Sequence, residues 1–289
     1  MTQKNKLMMG VGIASVATAT ALILMKAFAF FMTGSVAILA SLFDSVQDLM
    51  TSTINFFTIR HSLQPADTKH RFGHGKAQGI GSFLQGLILL GSAGWLVFES
   101  ILHLGRHEVP DHSLLGISVI LLSLILTALL IRFQVFVIRQ TDSLSIKADN
   151  AHYNGDLMMN MGVLISLVFS YTFSVGWLDC VFGIMVSVYL LKSALYVLRT
   201  SVAMLMDEEM PGHVQNKIKT QLKVLKEIKK IHDLRTRQSG TQVFIQMTLI
   251  LDGQMPLAKA HLIADKAENL IQEIYPSSEV MIHLEPEQF

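Results

Sequence analysis

The chain has 289 residues, 51% of them hydrophobic and 16% charged, with a formal net charge of +1. Soluble globular chains carry roughly 25% charged residues, so the composition argues against an ordinary cytosolic enzyme, and near-neutrality leaves no electrostatic footprint for nucleic acid. The single cysteine, Cys180, excludes an intrachain disulfide and a cysteine-based zinc module.

The charges are unevenly spread. Residues 1–205 hold 13 Lys/Arg and 10 Asp/Glu, whereas residues 206–289 hold 10 and 12, so the charged fraction rises from about 11% to about 26%. This division predicts an α-helical membrane domain over 1–205 and a cytosolic α+β domain over 206–289. The first apolar run follows Lys4 and Lys6 and continues to about residue 32, longer than the apolar region of a signal peptide. It reads as the first of six spans, at about 8–32, 36–62, 79–104, 113–138, 147–173 and 177–199, each near the ~20 residues needed to cross a bilayer. All six prolines lie outside these runs. Short connections at Thr33-Gly34-Ser35 and Ser174-Val175-Gly176 make the helices they join antiparallel neighbours. Lys4, Lys6, Lys69, Arg71, Lys76, Arg139 and Lys147 fall on one side of the membrane and Arg106 on the other. The positive-inside rule then places both termini in the cytoplasm.

Beyond the spans, Gly212–Leu225 has helical periodicity and a strand is expected near Ile231–Arg237. Val243, Ile245, Met247, Leu249 and Leu251 alternate onto one face of a second strand. Asp252-Gly253 marks a turn, Pro256 suits the first turn of a helix reaching about Ile274, and Glu279–Leu284 alternates as a last strand. The order α-β-β-α-β gives a small sheet covered by two helices.

Ionisable residues inside a membrane are costly and point to function. Arg132, Asp179, Lys192 and Glu99 lie close enough to helix ends to be solvated. Lys26 lies deeper, and the pattern assigns it no role. Two pairs resist a solvation account: Asp44 with Asp48 in the second span, and His152 with Asp156 in the fifth. Each has i,i+4 spacing, which puts both side chains on one helix face. Three carboxylates and an imidazole can close a tetrahedral shell around zinc or a similar cation; the competing reading is two polar faces lining a water-filled cavity. In the loop between the second and third spans, Asp67, His70 and His74 are spaced so that one turn could gather them. In the last strand, His283 and Glu285 share a face and can address one ion, with His232 and His261 elsewhere in the same domain. The remaining histidines, His61, His103, His107, His112 and His213, read as solvated.

Several segments together carry a resemblance. They are Asp44-x-x-x-Asp48, His152-x-x-x-Asp156, Gln64-Pro65-Ala66-Asp67 followed by Phe72-Gly73-His74-Gly75-Lys76, and His232-Asp233-Leu234-Arg235-Thr236-Arg237-Gln238-Ser239-Gly240. In order and spacing, over nearly the whole chain, the sequence resembles the cation diffusion facilitator family, in particular its bacterial ferrous-iron efflux type. The resemblance implies a homodimeric divalent-metal/proton antiporter with six spans and a metallochaperone-like cytosolic domain. It implies that Asp44, Asp48, His152 and Asp156 form the transport site and that Asp67, His70 and His74 form a second, exposed zinc site. It also implies a two-metal site between subunits in the cytosolic domain, and an inter-domain salt-bridge network using Lys76 and Asp207. Thr248 stands where that family type has a bridging histidine, and Glu285 where it has an aspartate. His232, His261, His283 and Glu285 are therefore expected to make at most a partial site.

The expected function is proton-coupled efflux of a divalent transition metal across a bacterial cytoplasmic (inner) membrane by alternating access. Zn2+ is the first cargo on ligand type, Fe2+, Cd2+ or Mn2+ are alternatives, and H+ is the counter-ion. Three carboxylates and an imidazole in a low-dielectric site cannot stay empty and fully ionised, so metal and protons compete for one set of ligands. Two rivals stand beside this reading. A metal-binding sensor or scaffold would bind without flux. An intramembrane metalloenzyme would normally add a motif such as H-E-x-x-H, and no Glu lies beside the four ligands. A channel is disfavoured because four strong ligands would hold an ion too tightly for fast conduction.

Overall fold

The structure, a computed structural model, describes residues 3–34, 36–103, 114–173, 178–276 and 278–287. The expected turn at 174–176, together with Arg106, His107 and His112, lies outside these residues. The chain divides into two compact units, Met1–Val202 and Ala203–Phe289.

The described residues of the first unit form six long helices: α1 (Gln3–Thr33), α2 (Val36–Ser62), α3 (Ala77–His103), α4 (Leu114–Thr141), α5 (Leu144–Phe173) and α6 (Leu178–Leu205). α1 ends where Gly34 adopts φ 63° and donates its N–H to the Phe30 carbonyl at 2.8 Å, the left-handed cap that glycine permits. Four of the helices, α1, α3, α4 and α6, are by length and composition apolar enough to cross a membrane. α2 and α5 are long enough as well, but the aspartates, histidine, serines and asparagines that line them dilute their apolar character.

This unit is organised opposite to a water-soluble bundle. Phe31, Phe43, Phe57, Trp95, Ile101 and Leu129 are exposed, while Ser15, Asp48, Asn55, Gln85, Gln134 and Asp149 are buried. Apolar surface outside and polar groups inside suit lipid as the solvent, because helices in lipid associate through packing and interhelical hydrogen bonds. Those bonds are explicit. Ser15 Oγ donates to Asp149 Oδ2 (2.7 Å), Gln134 Nε2 to the same oxygen (2.8 Å), and Asn150 Nδ2 to Gln134 Oε1 (3.0 Å). Ser52 Oγ and Tyr153 Oη pair at 2.8 Å. The polar cluster thus joins α1 and α4 to α5, and a separate bond joins α2 to α5.

The second unit has the expected order: α7 (Gly212–Leu222), β1 (Lys230–Ser239), β2 (Gln242–Leu251), α8 (Leu257–Ile274) and β3 (Ser278–Pro286). β1 and β2 are antiparallel, joined at a hairpin where Gly240 takes φ 62°. β3 lies parallel to β2, so α8 is the crossover that a parallel pair requires. Ile245, Met247 and Leu249 of β2 meet Ile218 and Leu222 of α7 and Ile271 of α8 in one core, with Val280, Ile282 and Leu284 of β3 packed against it. Burying each such side chain stabilises by about 1.5–3 kcal/mol. The opposite face of the sheet is left for polar chemistry.

Residues 232–239 of the His232–Gly240 segment lie in β1, and they tie down the stretch that precedes α7. Arg237 Nη1 meets Asp207 Oδ1 at 3.0 Å and lies over the Phe244 ring at 4.4 Å. Thr236 donates its N–H and its hydroxyl to Glu209 Oε2, at 3.0 and 2.7 Å.

Candidate metal centre

Inside the first unit, α2 and α5 bring their polar faces together. His152 Nε2 lies 3.0 Å from Asp48 Oδ1 and 3.7 Å from Asp156 Oδ2. One ligand atom from each of Asp48, His152 and Asp156 lies within 4.8 Å of the others, the mutual spacing of donors around a single ion. Asp48 and His152 are buried, and Asp156 Oδ2 is a buried oxygen without a hydrogen-bond partner. A buried acceptor in that state costs about 1–3 kcal/mol, so the arrangement is better matched to binding than to stability. Gly155, between the two α5 ligands, lets α6 approach: a Cβ there would sit 2.6 Å from Leu190 Cδ2.

Asp44, the fourth residue of the sequence pattern, is one turn from Asp48 on α2, but it is exposed and outside this close group. The i,i+4 rule fixes its side of the helix but not the rotamer that would bring its carboxylate to the other three. Conversely, the pair pattern leaves out Asp149. It is fully buried one turn before His152, and its Oδ1 has no hydrogen-bond partner. Its signal is present in the sequence: an aspartate inside the fifth apolar run, at i−3 from the histidine. Its donors, Ser15 and Gln134, come from α1 and α4, which the spacing within α5 does not reveal.

The loop between α2 and α3 forms a second group. Asp67, His70 and His74 have ligand atoms within 4.8 Å of one another. Asp67 Oδ1 accepts the backbone N–H groups of His70 (2.6 Å) and Lys69 (2.8 Å), which hold its carboxyl below the usual carboxylate range. His74 Nε2 is 3.4 Å from Asp67 Oδ2 and His70 Nδ1 is 3.3 Å from Asp67 Oδ1. Gly73, at φ 78°, turns the chain so that the two imidazoles meet with ring centroids 4.6 Å apart. The ring of His61, at the end of α2, stands edge-on to His74 at 4.8 Å, a neighbour that sequence spacing alone does not show.

In the second unit, the sheet register places His232 opposite Thr248 and Thr248 opposite His283, a row across three strands. Glu285 joins the row's ends: Oε2 is 3.2 Å from His232 Nε2 and Oε1 is 3.6 Å from His283 Nε2. Thr248 occupies the middle of that row. His261 is separate, exposed on α8, with its Nε2 3.9 Å from Asp265 Oδ1. Among the described residues, the membrane group and the loop group are the two sets of three ligands that converge this closely.

The chain is similar to known proteins over both of its units. The family model of the cation efflux transmembrane domain matches residues 12–206, and that of the cation efflux protein cytoplasmic domain matches 210–287. The cation-efflux pump FieF of Klebsiella pneumoniae subsp. pneumoniae is 41% identical over 284 residues, covering 98% of this chain and 94% of that protein. The FieF pump of Salmonella newport is 40% identical over the same span. Among solved structures, the metal-bound C-terminal domain of the CzcD transporter from Thermotoga maritima is 29% identical. It covers 26% of this chain and 87% of its own, with a TM-score of 0.25, a likeness on which no argument here rests. With both of its units matched and its relatives similar over nearly their full length, the chain belongs to the cation efflux family, a family of membrane transporters.

Proposed function

We propose that the protein exports a divalent transition metal, Zn2+ in the first instance, from the cytoplasm in exchange for protons. The observation that carries this reading is the convergence of Asp48, His152 and Asp156 from two helices of the membrane unit. One imidazole and two carboxylates supply borderline and hard donors that suit Zn2+. Asp44, one turn away on α2, supplies the fourth oxygen when the ion is bound. Fe2+, Cd2+ and Mn2+ accept the same donors, and coordination geometry rather than donor type ranks them.

Coupling to protons follows from the donors. Metal requires deprotonated ligands, so an ion that enters displaces protons and one that leaves is replaced by them. With the site open alternately to each side, protons return as metal departs. The reading places the protein as a homodimer in a bacterial inner membrane, with both termini cytoplasmic and a domain boundary near residue 205. It assigns Asp67, His70 and His74 to an exposed second metal site, and His232, His283 and Glu285 to a partial cytosolic one from which His261 stands apart.

The test is metal uptake into proteoliposomes that enclose a metal-sensitive dye, screened with Zn2+, Fe2+, Cd2+ and Mn2+. Uptake by the wild-type protein that is lost in His152→Ala supports the assignment. Metal binding without uptake by the wild-type protein would favour a sensor or scaffold instead.

A further inference from the structure

Lys26 is a charged residue in the membrane unit that the ligand pattern leaves unexplained. It lies on α1 and is only 8% exposed. Its ammonium donates to Ser45 Oγ at 2.7 Å and to the Ser41 carbonyl at 3.0 Å, both on α2. Ser45, itself fully buried, adjoins Asp44 and precedes Asp48 by three residues. The carboxylates that act electrostatically on the ammonium are Asp48 and Asp44 from α2 and Asp156 from α5. A neutral side chain could tether α1 to α2 through the same two serines. A buried cation is the costly choice, and here it is held at Ser45, next to Asp44 and one turn from Asp48 on α2.

We propose that Lys26 is a built-in counter-cation of the transport site, a fixed positive charge that weakens metal binding enough for release. This rests on the metal-site reading above. A positive charge held by Ser45, between Asp44 and Asp48 along α2, repels a cation bound among these ligands.

The experiment measures Zn2+ binding by calorimetry on the purified full-length protein, in a shared background of His74→Ala and His283→Ala that disables the other two ligand groups. Lys26→Met and Lys26→Gln should bind Zn2+ at pH 8 about tenfold or more tightly, the scale of deleting one like charge near a divalent ion at an effective dielectric of about 20. Lys26→Arg, which keeps the charge, should stay near the parent value. Parent-like affinity in both neutral variants would overturn the proposal. Asp48→Ala separates the two ideas. If it weakens binding while Lys26→Met changes nothing, only the counter-cation is wrong; if Asp48→Ala also changes nothing, both fall.

Discussion

Asp149 offers a test of the polar interior whose size can be worked from the structure. It is fully buried on α5, and its Oδ2 accepts hydrogen bonds from Ser15 on α1 at 2.7 Å and Gln134 on α4 at 2.8 Å. Asp149→Ala leaves both donors without their acceptor, and an unsatisfied buried polar group costs about 1–3 kcal/mol. Gln134 Nε2 also lies 3.2 Å from Ser15 Oγ, so the two orphaned groups partly satisfy each other. The expected loss is therefore about 2–4 kcal/mol rather than the full sum of about 6. Asp149→Asn keeps a carbonyl oxygen at the Oδ2 position and places its NH2 at the Oδ1 position, where the neighbouring Asn55 side chain offers an otherwise unpartnered acceptor oxygen. It should cost under about 1.5 kcal/mol. The assay is thermal unfolding of the detergent-solubilised protein, where Asp149→Ala should melt several degrees lower and Asp149→Asn close to wild type. Equal stability of Asp149→Ala and wild type, or equal damage from both substitutions, would refute the reasoning.

Three further outcomes follow from named contacts. Thr248→His inserts a third imidazole between His232 and His283 in register, and calorimetry on the full-length protein should show about one additional metal per protomer. Glu209→Ala removes the acceptor of the Thr236 N–H and hydroxyl, and it should destabilise the second unit by about 1–3 kcal/mol in denaturant titration. Asp67, whose carboxyl is held low mainly by the His70 N–H, should keep its turn closed at neutral pH. Because that value is depressed, the contribution is complete above the ordinary carboxylate range of about 4 and is lost only as pH falls through the lowered value. Amide exchange of His70 followed against pH should show protection persisting below pH 4 in wild type, and Asp67→Ala should remove it at every pH.

The sequence reveals features set by local periodicity and conceals those set by packing between distant segments. Alternation in β2 identifies Ile245, Met247 and Leu249 as core, because a strand's period of two is written directly in the residues. The long apolar runs mark the helices, although α6 continues to Leu205, beyond the residue 199 suggested by hydropathy, because a helix does not stop where its lipid-facing stretch does. The i,i+4 spacing puts His152 and Asp156 on one face, and the structure joins that face to Asp48. It does not tell that Asp44 is outside the close group, since that depends on a rotamer. Asp149 escapes the pair pattern because its partners, Ser15 and Gln134, are 134 and 15 residues away. Lys26 is visible as a misplaced charge, but the serines that hold it become evident only when α1 lies against α2.

The proposed exchange of metal for protons at the membrane cluster can be read in proteoliposomes enclosing a pH-sensitive dye. A Zn2+ gradient should drive proton movement opposite to the metal in the wild-type protein, and Asp48→Ala should abolish it. Zn2+ movement without any proton counterflow, or wild-type counterflow in Asp48→Ala, would contradict the account.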